Sequence, residues 1–193
     1  MIIFISSDAS PQWVFTSNVQ GIPRVFSVNE STGYAVCWPN GIYKTSNGGG
    51  NWIRQTGMTS PHAVSCYFIS PDTGWVVGVY GTFWKTTNGG GTWLNRTVDG
   101  TFRYAIYFAT PETGWAVGIP GIITKTTDGG DTWFEQTNPG TWYLNDVKFV
   151  DALTGWVVGD VPFQTVILKT LTEETTGLSS LQGEMPRHSL FVS

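Results

Sequence analysis

One nine-residue phrase is written three times, and its spacing decides what this chain can fold into. "KTSNGGGNW" (Lys44–Trp52) returns as "KTTNGGGTW" (Lys85–Trp93) and "KTTDGGDTW" (Lys125–Trp133). A second phrase keeps step with it: "TGYAV" (Thr32–Val36), "TGWVV" (Thr73–Val77), "TGWAV" (Thr113–Val117) and "TGWVV" (Thr154–Val158). The intervals between these copies are 41, 40 and 41 residues, and each lysine lies eleven residues beyond its glycine. Fixed spacing of this kind marks one supersecondary unit used repeatedly.

Each unit reads as four short strands. In the third copy these are "YAIYFAT", "GWAVG", "GIITKTT" and, after the turn "DGGD", "TWFEQT". Aromatic and β-branched runs separated by Gly, Pro and Asp are hairpin signals, and no comparable length shows helical periodicity. Four-stranded units near forty residues long predict an all-β fold, a β-propeller of about four blades. "SSDASPQW" (Ser6–Trp13) aligns with "TTDGGDTW", setting Asp8 over Asp128 and Trp13 over Trp133, so "IIFIS" before it reads as a third strand. Residues 1–170 are thus expected to hold half a blade, three full blades and three strands of a last one, ending at "VILKT" (Val166–Thr170). Residues 171–193 have a linker-like composition. Two arrangements stay open. Trp13–Ser17 can supply the last blade's outer strand and close a four-bladed ring. The surplus strand "IIFIS" instead favours a segment of a larger propeller, completed by more blades or by a second copy in a homo-oligomer.

The repeated phrase has the chemistry of a turn. Asn47, Asn88 and Asp128 can accept backbone N–H groups, the glycines supply positive φ, and Trp52, Trp93 and Trp133 are large enough to plug a sheet end, each burying about 200 Å². A phosphate loop needs a following helix, and asparagine in two of three copies weakens any cation site. No metal and no cofactor are expected. Lys44, Lys85 and Lys125 are expected to lay their stems on apolar surface with their heads in water.

Composition narrows the partners. Only 12% of residues are charged, the net charge is −4 and there is no basic run, which argues against nucleic acid. No stretch reaches the ~18 apolar residues of a membrane span, and "MIIFISSDAS" lacks the basic start of a signal peptide. Cys37 and Cys66 are too few for a disulfide framework and are expected to be free, buried thiols.

The phrases "SNGGGNW", "TNGGGTW" and "TDGGDTW" resemble Asp-box (BNR) repeats, found in sialidases, xyloglucanases and sortilin-type receptors. "TGWAVGIPGIITKTTDGGDTW" is closer still to the photosystem II stability/assembly factor family and its bacterial relatives, and the resemblance extends over Met1 to Thr170. It implies that the Asp boxes are fold markers away from the functional surface, and that the chain is a non-catalytic binding scaffold for a protein or glycan. Sialidase chemistry would need an arginine cluster, and Arg54 and Arg96 fall on outer strands. A xyloglucanase would need two inward carboxylates. Asp72 and Asp151 fall in turns, which leaves Asp146, so glycoside hydrolysis is the second reading and no catalytic residue is assigned. The opposite face collects Trp38, Tyr80, His62, Arg103, Trp142 and Phe163, in second-to-third strand turns and blade-to-blade loops, as candidate binding residues. The tail resembles the lead-in to a C-terminal secretion-sorting domain, which implies an extracellular or cell-surface bacterial protein.

Overall fold

The computed structural model describes residues 22–58, 62–96, 100–162 and 164–170. The expectations for Asp8, Trp13, Phe163, the first half blade and the tail lie outside these residues. What is described is all β, in four antiparallel sheets whose strands pair in chain order. The first sheet holds β1 (Ile22–Ser27), β2 (Gly33–Trp38), β3 (Gly41–Thr45) and β4 (Ile53–Arg54). The second holds β5 (Ala63–Phe68), β6 (Gly74–Gly78), β7 (Phe83–Thr86) and β8 (Leu94–Asn95). The third holds β9 (Phe102–Phe108), β10 (Gly114–Ile119), β11 (Ile123–Thr126) and β12 (Phe134–Glu135). The fourth has three strands, β13 (Tyr143–Phe149), β14 (Gly155–Val161) and β15 (Gln164–Lys169).

These sheets are propeller blades. Their first strands converge, and residues of β1, β5, β9 and β13 together wall one cavity of about 210 Å³ on the axis. Burial follows from stacking. Every residue of β6 is buried and β10 nearly matches it, because both faces of a middle blade are covered. In β14 the same "GWVVG" sequence alternates buried and exposed, because among the described residues only one of its faces is packed against a neighbouring blade.

One aromatic sandwich recurs at each blade junction. Tyr34 stacks on Phe68 of the next blade at 3.6 Å between ring centroids, Trp75 on Phe108 at 3.7 Å, and Trp115 on Phe149 at 3.6 Å. The far face of each phenyl rests on the glycine of "TGW". A Cβ at Gly74 would stand 2.1 Å from Phe68, and one at Gly114 would stand 2.7 Å from Phe108. The motif therefore encodes a junction: glycine admits the ring of its own blade, and the aromatic after it reaches into the following one. Aromatic pairs of this kind contribute about 0.5–1.5 kcal/mol beyond the area they bury.

The lysines also differ from expectation. Lys44 Nζ donates to the Gly89 carbonyl at 2.8 Å, and Lys85 Nζ lies 3.1 Å from Asp131 Oδ1, so both heads fasten the next blade. Their stems do cover apolar surface, with each ammonium over its own blade's Tyr34 or Trp75 ring. Cys37 and Cys66 are free and buried, and burial pushes the Cys66 thiol well above its usual range.

Candidate functional site

Up-and-down strands sort the loops onto two edges. One edge carries the starts of the first strands, the ends of the second and the turns into the third. The other carries the Gly-Gly turns.

On the first edge three large aromatic side chains are exposed. Trp38 ends β2 with 39% of its surface exposed, Tyr80 lies between β6 and β7 at 65%, and Tyr143 opens β13 at 49%. His62 meets Tyr80 edge-on at 5.1 Å, and Tyr80 meets Phe102 edge-on at 5.2 Å. Tyr80 has φ of 56°, unlike every other non-glycine residue described, and such a conformation costs on the order of 1–3 kcal/mol. The backbone around it holds it there: Val79 N–H donates to the His62 carbonyl at 3.0 Å, and Gly81 N–H donates to that of Thr101 at 2.8 Å. A strained residue that presents an exposed ring is a feature of binding surfaces.

The structure brings His62 and Tyr80 together and adds Phe102 and Tyr143, both of which the sequence reading passed over. Each opens a first strand, so the signal was the aromatic at the loop-to-strand boundary. Trp142 is half-buried beside the core of the third and fourth blades, with its ring against Gly140. Arg103 is corrected outright. It is fully buried as the second residue of β9, its Nη1 donates to Thr101 Oγ1 at 2.9 Å, and its guanidinium lies over the Phe83 ring. A loop was expected there. The strand begins at Phe102, and the alternation that follows turns Arg103 inward.

On the axis, Asp146 shares the central cavity with Arg24, Tyr67 and Lys148. Its Oδ1 lies 3.9 Å from Lys148 Nζ and accepts the Val147 N–H at 2.9 Å. Burial, and then Tyr107 beside it, push the Tyr67 hydroxyl up to about 12. An acid–base pair needs a second carboxylate, and Asp146 has a lysine beside it instead.

At the other edge the three Gly-Gly turns are superimposable in their bonding. The threonine hydroxyls of Thr45, Thr86 and Thr126 each accept the second glycine's N–H at 2.9 Å and donate to Asn47, Asn88 or Asp128. Those side chains accept N–H groups from Asn51, Thr92 and Thr132 in turn. Trp93 and Trp133 are buried between blades, and Trp52 is half-buried on the outer side of the first. For Asp128, burial favours the neutral acid. Bonds from the Thr132 hydroxyl and N–H, the Thr126 hydroxyl and the Asp131 N–H outweigh it, and hold the carboxyl well below the usual range. Among the described residues there is no cluster of three or more metal-ligating side chains, and no helix long and apolar enough to cross a membrane.

Residues 57–138 match the family model of the photosynthesis system II assembly factor YCF48. A structure of YCF48 bound to a D1 peptide is 29% identical, with a TM-score of 0.50, over 56% of this chain and 36% of that one. YCF48 from Cyanidioschyzon merolae is 20% identical, with a TM-score of 0.61, over 78% of this chain and 52% of that one. An ancestral GH74 enzyme is 15% identical, with a TM-score of 0.67, over 84% of this chain and 24% of that one. The last two show the fold alone. The chain thus spans about a third to a half of the YCF48 chains it matches. No curated protein sequence matches it. Family model and blade geometry agree: the chain is a β-propeller whose residues 57–138 are similar to the photosystem II assembly factor YCF48 family.

Proposed function

We propose that this chain is a non-catalytic scaffold that holds a segment of a protein partner across its aromatic edge. The observation that carries the reading is the ring cluster His62–Tyr80–Phe102, in which Tyr80 is exposed and its two neighbours are half-buried, with exposed Trp38 and Tyr143 on the same edge. Rigid aromatic rings on a preformed backbone lose little entropy on binding and suit an extended peptide. YCF48, the 29% identical relative, has been captured with a D1 peptide, which supports a peptide as the class of partner. In this reading the Gly-Gly turns are Asp boxes that serve the fold, and the tail's likeness to sorting segments supports a location outside the cell. The test is titration of a D1 peptide against the intrinsic tryptophan fluorescence of the full chain. Saturable binding is expected, weakened at least tenfold in Tyr80→Ala and Trp38→Ala with Tm unchanged. Absence of binding, together with xyloglucan hydrolysis that Asp146→Asn abolishes, would replace the reading with glycoside hydrolysis.

A further inference from the structure

The first strands of the four blades bring equivalent positions to the axis in tiers. Arg24, Ser65, Ala105 and Asp146 each pair with the valine that ends the repeated "TG" phrase, Val36, Val77, Val117 and Val158. One tier on, Phe26, Tyr67, Tyr107 and Lys148 each pair with that phrase's aromatic residue, Tyr34, Trp75, Trp115 and Trp156. Phe26 and Tyr107 both meet Tyr67 at 5.1 Å between ring centroids, and Lys148 Nζ lies 5.4 Å over the Tyr107 ring. Three aromatic rings and an ammonium thus make one tier, and a guanidinium, a hydroxyl, a methyl and a carboxylate make the other.

Charge does not balance in the cavity of about 210 Å³ that these tiers enclose. Its walls carry Arg24 and Lys148 against Asp146 alone, while Ser65 and Tyr67 add neutral hydroxyls. Asp146 already has its cation, Lys148 at 3.9 Å. The Arg24 guanidinium has no hydrogen bond or ion pair among the described residues. A planar fork of N–H donors, set in a confined space with aromatic walls and without an acceptor, is a receptor for an oxyanion.

We propose that the axial cavity binds a small oxyanion, with Arg24 as its main donor, Lys148 as the second positive charge and the Ser65 hydroxyl as a neutral donor. Asp146 limits the affinity, because it competes for Lys148 and repels any anion that enters. The oxyanion arrives as a free ion or as a carboxylate carried by the partner segment. The second source rests on the peptide reading above, and the first does not.

Inorganic phosphate is the probe, titrated into the full chain by calorimetry at low ionic strength. Saturable binding is expected, weakened about tenfold in Arg24→Gln, the scale of a lost charge-assisted pair. Arg54→Gln should leave it unchanged, since Arg54 lies on the outer strand β4, where its Nε donates to the Asn40 carbonyl. Asp146→Asn should tighten binding about threefold by removing a like charge, a gain that a purely structural role would not produce. A second arm repeats the D1 peptide titration with phosphate present. Competition assigns the site to a carboxylate of the partner; independent binding, or a peptide that does not bind at all, assigns it to the free ion. Absence of phosphate binding, or equal binding by the parent and Arg24→Gln, would overturn the proposal. So would a double-mutant cycle on Tm in which Arg24→Gln and Asp146→Asn couple as an ion pair.

Discussion

At the residue scale, the position after "KTS" or "KTT" shows what the turn requires. Asn47, Asn88 and Asp128 accept the same backbone N–H from the residue four places on, so an oxygen is needed and a charge is not. The charge in the third copy leaves a pH signature. The Asp128 carboxyl sits below its unfolded value, so its contribution is present above about pH 4 and is lost as pH falls further. Asp128→Asn is expected to match the parent at pH 7 within about 0.5 kcal/mol and to lose less stability between pH 4 and 2, which thermal melts across that range would record. This turn was legible in the sequence because all its partners lie within four residues. Arg103 was not, because the groups that satisfy it include Phe83 and Thr124, which only the fold brings together. A two-residue shift in a strand start, from Tyr104 to Phe102, was enough to move it from surface to core.

At the element scale, the glycines that bracket the second strands carry more constraint than their turn chemistry suggests. Gly78 and Gly118 end "GWVVG" and "GWAVG", and a Cβ on either would stand 1.8 Å from the carbonyl oxygen of His62 or Phe102 across the ladder. Near both, the pairing of the first and second strands shifts register. Only glycine lets the backbones close over such a bulge. Gly118→Ala is expected to cost about 3 kcal/mol or more, because backbone rather than a rotatable side chain has to move. Gly91→Ala, whose new methyl would meet only its own turn's Asn88 at 3.3 Å, should cost under about 0.5 kcal/mol. Urea denaturation of the two variants separates them. Strand order and blade count were open to a reader of the sequence, since they repeat. Burial was not: β6 and β14 share the letters "GWVVG", yet among the described residues one is covered on both faces and the other on one, a property of position in the array.

At the scale of the molecule, the relation still to be tested is between the fourth blade and the first, and one pair of residues reports on it. Trp156 stands where Tyr34, Trp75 and Trp115 stand, each of which lies flat on a phenylalanine of the following blade, and it is 38% exposed. Continuing around a closed ring, the facing residue is Ser27, which pairs with Gly33 as Phe68 pairs with Gly74. In such a ring this junction would lack the aromatic sandwich that the other three have. Ser27→Phe should restore the sandwich. With about 0.5–1.5 kcal/mol for such a pair, a Tm rise of roughly 2–4 °C is expected. The gain must depend on the other ring: in a double-mutant cycle, Trp156→Ala should abolish it. If the first blade packs elsewhere, Ser27→Phe merely adds an exposed phenyl, its effect is independent of Trp156, and sedimentation shows association rather than a stabilised monomer.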